Sequence, residues 1–206
     1  GVALEQAEGL YSLAASKGLV LDGFQTYDGH NHQEARAERE AAVRAWISPV
    51  LELRKRLESK GLSVPRIIAG GTPNFPVIAS FKDIPGLECS PGTFVLHDHG
   101  YGSKFTDIEG VEPAAVLITR VISRPTPTRV TFDLGTKAVA SDPPMARRVR
   151  LLDFPPCEIV GHNEEHLVVE TQEAGRYSPG DLVYALPGHV CPTVALHREV
   201  LVAEQG

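Results

Sequence analysis

No apolar run in this sequence approaches the roughly 20 residues that a membrane-crossing helix needs. No basic-then-apolar leader stands at its start, so no secretory signal is visible. Cysteine is scarce. Cys89, Cys157 and Cys191 are odd in number and far apart, which argues against a disulfide framework and for a reducing cytoplasm. A basic surplus is also missing: 20 Lys and Arg face 26 Asp and Glu, a net charge of -6, so no nucleic-acid footprint is expected. There is no internal repeat and no low-complexity tract. The chain opens without methionine, straight into Leu4, Ala7, Tyr11 and Ala14 at helical spacing, with nothing before Leu4 to cap a helix and Gly18 placed to end it. The expectation is a chain that begins inside a larger fold.

What is present is an ordinary globular composition, 42% hydrophobic and 22% charged, written in two rhythms. Residues 1–112 read as strand, helix, strand, helix, strand. The predicted strands are 19–27, 65–69 and 92–96, with a long helix over 33–60 that Pro49 should kink or break and a short one over 75–81. Glycine-rich or polar loops follow the strands, which is where parallel α/β folds place their chemistry. Residues 113–206 read as short strands and turns: 116–123, a turn at 124–127, 129–134, a hairpin of 157–161 with 166–170, then 182–186 and 193–196. The fold class expected is α/β plus β, the last strands of a (β/α)8 barrel followed by an antiparallel β-rich domain.

His189 and Cys191 are the sharpest candidates for chemistry. Imidazole and thiolate are preferred zinc ligands. In an extended segment, residues two apart share a face. Two ligands make an open site that water or substrate completes. The same spacing also describes a surface histidine beside a buried cysteine. Gly70-Gly71-Thr72 follows a buried strand and could bring backbone N–H groups to a phosphate; it could equally be a plain strand-to-helix turn. Gly92-Thr93 is a weaker version of the same pattern. Tyr27, at a strand end, could face a cofactor or pack on the rim. His97 with His99, and His30 with His32, are pairs without a third ligand. His162 and His166 read as surface residues flanking a turn, and residues 147–150 as a solvated strand edge.

Several segments in order resemble the D-threonine aldolase and D-serine dehydratase family. They are Gly23–His30, Ile68–Pro73, Pro91–Val95, Val121–Pro125, Asp133–Val139 and Pro187–Val194. The resemblance implies an alanine-racemase-like fold, with a pyridoxal-phosphate (PLP)-bearing barrel, a β-rich C-terminal domain, and a homodimer in the intact enzyme. It implies that His189 and Cys191 match a metal-ligand pair for zinc or manganese. It implies that Gly70, Gly71 and Thr72, with Gly92 and Thr93, help hold the cofactor phosphate, and that Tyr27 lies near the cofactor as a catalytic residue. The activity implied is PLP- and metal-dependent cleavage of a small β-hydroxy D-amino acid, retro-aldol first, with dehydratase-like ammonia loss as the alternative. The family's Schiff-base lysine sits in a Pro-His-x-Lys-like motif, and this sequence has none. The expectation is therefore a C-terminal portion lacking that lysine. A PLP-binding protein without lyase activity, or a non-catalytic remnant, stays open.

Overall fold

Leu4, Ala7, Tyr11 and Ala14 fall within helix α1 (Leu4–Ser16), which closes on Gly18 at φ +77°. That conformation suits glycine. The structure is a computed structural model that describes residues 1–204. Its contacts group into two compact units, Gly1–Gly92 and Thr93–Gly206.

In the first unit, β1 (Gly23–Thr26), β2 (Arg66–Ala69) and β3 (Leu87–Cys89) form a parallel sheet in that order. Gly23 sits opposite Arg66, and Ile67 opposite Leu87. Helix α2 (Arg36–Ser59) joins β1 to β2 and buries Val43, Ile47, Val50, Leu53 and Leu57 at helical spacing. Pro49 does not break it. Pro49 is exposed, so the carbonyl its ring leaves unbonded lies on the solvent side, where helices tolerate the loss best. The short α3 (Phe75–Ile78) follows β2 and packs Val77 and Ile78 beneath the sheet.

Two strand expectations fail here. The first strand spans four residues rather than 19–27, and Val20 is 97% exposed. The third parallel strand is Leu87–Cys89, not 92–96. Thr93–Val95 turns instead as a 3-10 helix, its Thr93 carbonyl accepting from the N–H groups of Leu96 and His97. A short apolar run reads alike as strand or turn of helix.

The second unit is a six-stranded antiparallel sheet. It contains β4 (Leu117–Thr126), β5 (Arg129–Phe132), β6 (Val149–Leu151), β7 (Glu158–His162), β8 (Leu167–Glu170) and β9 (Leu182–Pro187), ordered β6-β9-β4-β5-β8-β7. Alternation sends Thr119 and Val121 inward and Ile118 and Arg120 outward. Val130, Phe132, Leu167, Val169 and Ala185 complete the core. The expected β7–β8 hairpin is present, and β6 is an edge strand. The β4–β5 turn falls at Pro127 and Thr128, because β4 runs on through Thr126. Two short helices, α4 (His99–Lys104) and α5 (Val190–Ala195), belong to this unit. Among the described residues no helix is long and apolar enough to cross a membrane.

His162 is half-buried at the end of β7 rather than on the surface. Burial first, and the nearby Arg148 second, hold its pKa below the ordinary histidine value. His99 is lowered likewise, by burial and then Arg150. A lowered folded-state pKa means that the unfolded chain takes up the proton more readily. Stability is then full above the ordinary value near 6.5 and declines as pH falls through it towards the folded value. Urea unfolding at about pH 8 and about pH 5.5 should show this decline. In His162→Gln the decline should be shallower; an unchanged slope would count against the assignment.

Candidate metal centre

The segment carrying His189 and Cys191 is not extended throughout. His189 keeps an extended backbone (φ -142°, ψ 106°), but Val190 begins α5. This corrects both the strand-alternation argument for the pair and the strand expected over 193–196. Pro192 explains the helix: it stands in the first turn, where its missing N–H has no intrahelical partner to lose. The metal candidates are therefore a cap residue and a first-turn residue.

Five side chains hold that turn. Asp98, 1% exposed, accepts from the Val190 N–H at 3.0 Å and caps α4 by accepting from the Tyr101 N–H at 2.8 Å. One buried carboxylate thus serves the N-termini of both short helices. Thr193 donates to the His189 carbonyl at 2.7 Å and accepts from the Ala140 N–H at 3.1 Å, tying α5 to the loop after β5. From that loop the Asp142 carboxylate meets His189 Nδ1 at 2.6 Å. At the far end, His197 Nε2 lies 2.8 Å from the Ala138 carbonyl. Thr93, 7% exposed, places its hydroxyl 3.1 Å from Cys191 Sγ. Gly188 is required just ahead: a Cβ there would collide with the Arg147 carbonyl, whose neighbour Arg148 accepts the Gly188 N–H at 2.7 Å.

The donor set suits a metal. Asp142 occupies one ring nitrogen of His189 and leaves the other, and the sulfur of Cys191 meets the Thr93 hydroxyl. Among the described residues no three His, Cys, Asp or Glu side chains gather as a metal-binding group. Asp98, Asp142 and Thr193 were not anticipated. The only sequence signals for them were an Asp ahead of a short helix and an Asp before proline, and neither is distinctive.

The remaining candidates lie in the first unit, apart from Thr93. Tyr27 is 66% exposed, and its ring covers Gly29 and Gly71. A Cβ on Gly71 would stand 2.9 Å from that ring. The loops after β1 and β2 therefore meet through Tyr27, which needs glycine at both positions. Gly70 adopts φ +79°, and a Cβ there would strike Ile78. Thr72 is buried. Gly70 and Gly71 thus stand at a strand end with Ile78 and Tyr27 packed where a Cβ would lie. Gly92 is exposed with open space around it.

Behind Tyr27, Asp28 is fully buried, and among the described residues neither of its carboxylate oxygens has a hydrogen-bond partner. Buried polar groups left unpaired are costly. Asp28→Asn should therefore raise stability by about 1 kcal/mol in thermal unfolding; a clear loss would show that the carboxylate has a partner.

Residues 114–203 match the family described as "Putative serine dehydratase domain". The chain is 28% identical over 197 residues to a D-threonine aldolase of an Arthrobacter species, covering 92% of this chain and 49% of that one. It is 29% identical over 192 residues to a 3-hydroxy-D-aspartate aldolase of Paracoccus denitrificans, covering 89% and 48%. The chain thus spans about half the length of the curated relatives it matches. Among solved structures, a D-threonine aldolase from Filomicrobium marinum superposes with TM-score 0.81 at 23% identity, over 93% of this chain and 51% of that one. A D-threo-3-hydroxyaspartate dehydratase from a Delftia species gives 0.76 at 20%, over 96% and 57%. These matches bear out the family resemblance, as a C-terminal portion, and the alanine-racemase-like fold.

Proposed function

We propose that this chain, a relative of the D-threonine aldolases and D-serine dehydratases, is the metal-bearing portion of a PLP-dependent lyase acting on small β-hydroxy D-amino acids. The observation that carries the reading is the hydrogen-bonded web fixing the cap and first turn of α5, where His189 and Cys191 stand. When bound, PLP supplies an electron sink for charge developing at Cα, and the metal supplies a Lewis acid at the β-hydroxyl. His189 and Cys191 hold the metal. Backbone N–H groups of Gly70, Gly71 and Thr72 would hold the phosphate, and Gly92 and Thr93 are the weaker candidates for that role. Tyr27 would lie near the cofactor as a catalytic residue.

In this reading residues 1–112 supply the last part of the barrel and residues 113–206 the β-rich domain of a cytoplasmic homodimer. None of the lysines of this chain anchors PLP in this reading. Lys17, Lys55, Lys60, Lys82 and Lys137 are exposed, and Lys104 sits on α4 over the Phe105 ring. Lys137 is paired with Glu164 at 3.0 Å and Glu165 at 2.8 Å, and these carboxylates raise its pKa and keep it charged. Adding PLP to the chain should give no Schiff-base absorbance; a band that reduction fixes to Lys137 would overturn this point.

Retro-aldol cleavage to glycine and an aldehyde is the first reading, on the similarity to two curated aldolases. The dehydratase alternative, giving an oxo acid and ammonia, is favoured by the matched family domain and the soft thiolate donor. Also relevant is a solved relative described as a metal-free cysteine variant of a D-threo-3-hydroxyaspartate dehydratase. Product assay on the intact enzyme separates the two. Metal content of this chain, with and without His189 and Cys191, tests what both share.

A further inference from the structure

We infer that Asp142 is a positioning residue, fixing His189 in the tautomer and ring orientation that turn Nε2 outward as the donor. The inference rests on the metal reading above for its purpose, but its structural content stands on its own. An ionised carboxylate can only accept. The 2.6 Å contact between Asp142 Oδ2 and His189 Nδ1 therefore requires the proton on Nδ1. A neutral imidazole protonated at Nδ1 carries its free lone pair on Nε2. Metal-ligating histidines characteristically donate their other N–H to such an acceptor, which orients the ring and raises its basicity.

Asp142 is held for this task rather than meeting His189 by chance. It precedes Pro143, and a residue before proline is confined to extended backbone. Two residues upstream, the Ala140 N–H bonds Thr193 Oγ1, and the same hydroxyl bonds the His189 carbonyl. One threonine thus clamps the two backbones whose side chains form the pair. Ala138, earlier in the loop, accepts from His197 beyond α5. The loop and the helix are fastened at two points, and the carboxylate and imidazole lie just beyond the nearer one. The side chains of His189 and Asp142 are 35% and 54% exposed. An isolated surface pair of this kind adds little stability, so an effect on tautomer rather than on folding is the expected signature.

The test uses the chain with 15N-labelled histidine, metal-free, at about pH 8, above the ordinary histidine range. Long-range proton–nitrogen correlation assigns the tautomer of His189. The native chain should show Nδ1–H. Asp142→Ala should shift His189 towards Nε2–H, and Asp142→Asn should do the same, because the amide N–H can donate to Nδ1. Zinc affinity, read by competition with a chromophoric chelator, should fall roughly 10–100-fold in both variants, with Asp142→Glu recovering part of it. Thermal unfolding should be unchanged in all three. Nε2–H in the native chain, or a tautomer indifferent to Asp142→Ala, would overturn the inference. A native Nδ1–H signal lost in Asp142→Ala, in a chain that takes up no zinc, would support the positioning role and sink the metal reading alone.

Discussion

The His189→Ala, Cys191→Ala double variant is expected to lose metal that the native chain retains, with affinity falling by more than about 100-fold. Removing a ligand should cost at least as much as removing a supporting partner, which costs roughly 10–100-fold. Each single variant should be severely impaired too, since an open site built on two protein ligands cannot spare one. Cobalt loading adds a direct view of the sulfur. A thiolate-to-metal charge-transfer band in the native chain should vanish in Cys191→Ala and in the double variant. Binding should weaken as pH falls, because imidazole and thiolate must shed protons to coordinate. Zinc should be preferred over manganese while a thiolate is present, and Cys191→Asp should move the preference towards manganese by exchanging a soft donor for a hard one. Equal metal content in native and double-variant chains would locate any bound metal elsewhere and remove the basis of the proposed site.

Why the site could be glimpsed in the sequence, but not built from it, comes down to which signals are local. Val43, Ile47, Val50, Leu53 and Leu57 announce α2 because a helix repeats its buried face every few residues. Ile67 and Ala69 announce β2 because a doubly covered strand is an unbroken apolar run. The β7–β8 hairpin declares itself by two apolar runs about a polar turn. By contrast, the run from Thr93 to Leu96 and the run from Thr193 to Leu196 carry the same residue types as strands, yet both coil. What decides between strand and helix there is a partner distant in sequence. Asp98 accepts the first N–H of α5 from 92 residues away, and β2 takes Leu87–Cys89 as its neighbour. The residue types of the proposed pair, His189 and Cys191, are local and legible. Their true geometry depends on Asp98, Thr193 and Asp142, each brought in by tertiary contacts that no short pattern encodes. Thr93 shows the same thing. The fold sets its hydroxyl against the sulfur of Cys191, a contact 98 residues apart in sequence that no short pattern announces.

Asp98→Ala is expected to be strongly destabilising, costing about 3 kcal/mol. Hydrogen bonds to a charged group contribute roughly 1.5–3 kcal/mol each, and loss of a helix cap costs about 1. Asp98 supplies two such bonds from a position almost wholly removed from water. Its loss strands the Tyr101 and Val190 N–H groups, and water cannot reach the buried Val190 N–H without opening the packing around α5. Asp98→Asn keeps one acceptor but turns an N–H against the other donor, so it should recover less than half of the deficit. Denaturant unfolding of the native chain and both variants measures the effect. The metal readout then separates the roles. Because Asp98 holds the backbone between His189 and Cys191, Asp98→Asn under folding conditions should still weaken zinc binding, whereas a core truncation of similar thermodynamic cost in the β-sheet, such as Val169→Ala, should not. Unfolding free energy within about 0.5 kcal/mol of native in Asp98→Ala would mean that α5 is capped by another route. The web around His189 and Cys191 would then be less interdependent than its hydrogen bonds indicate.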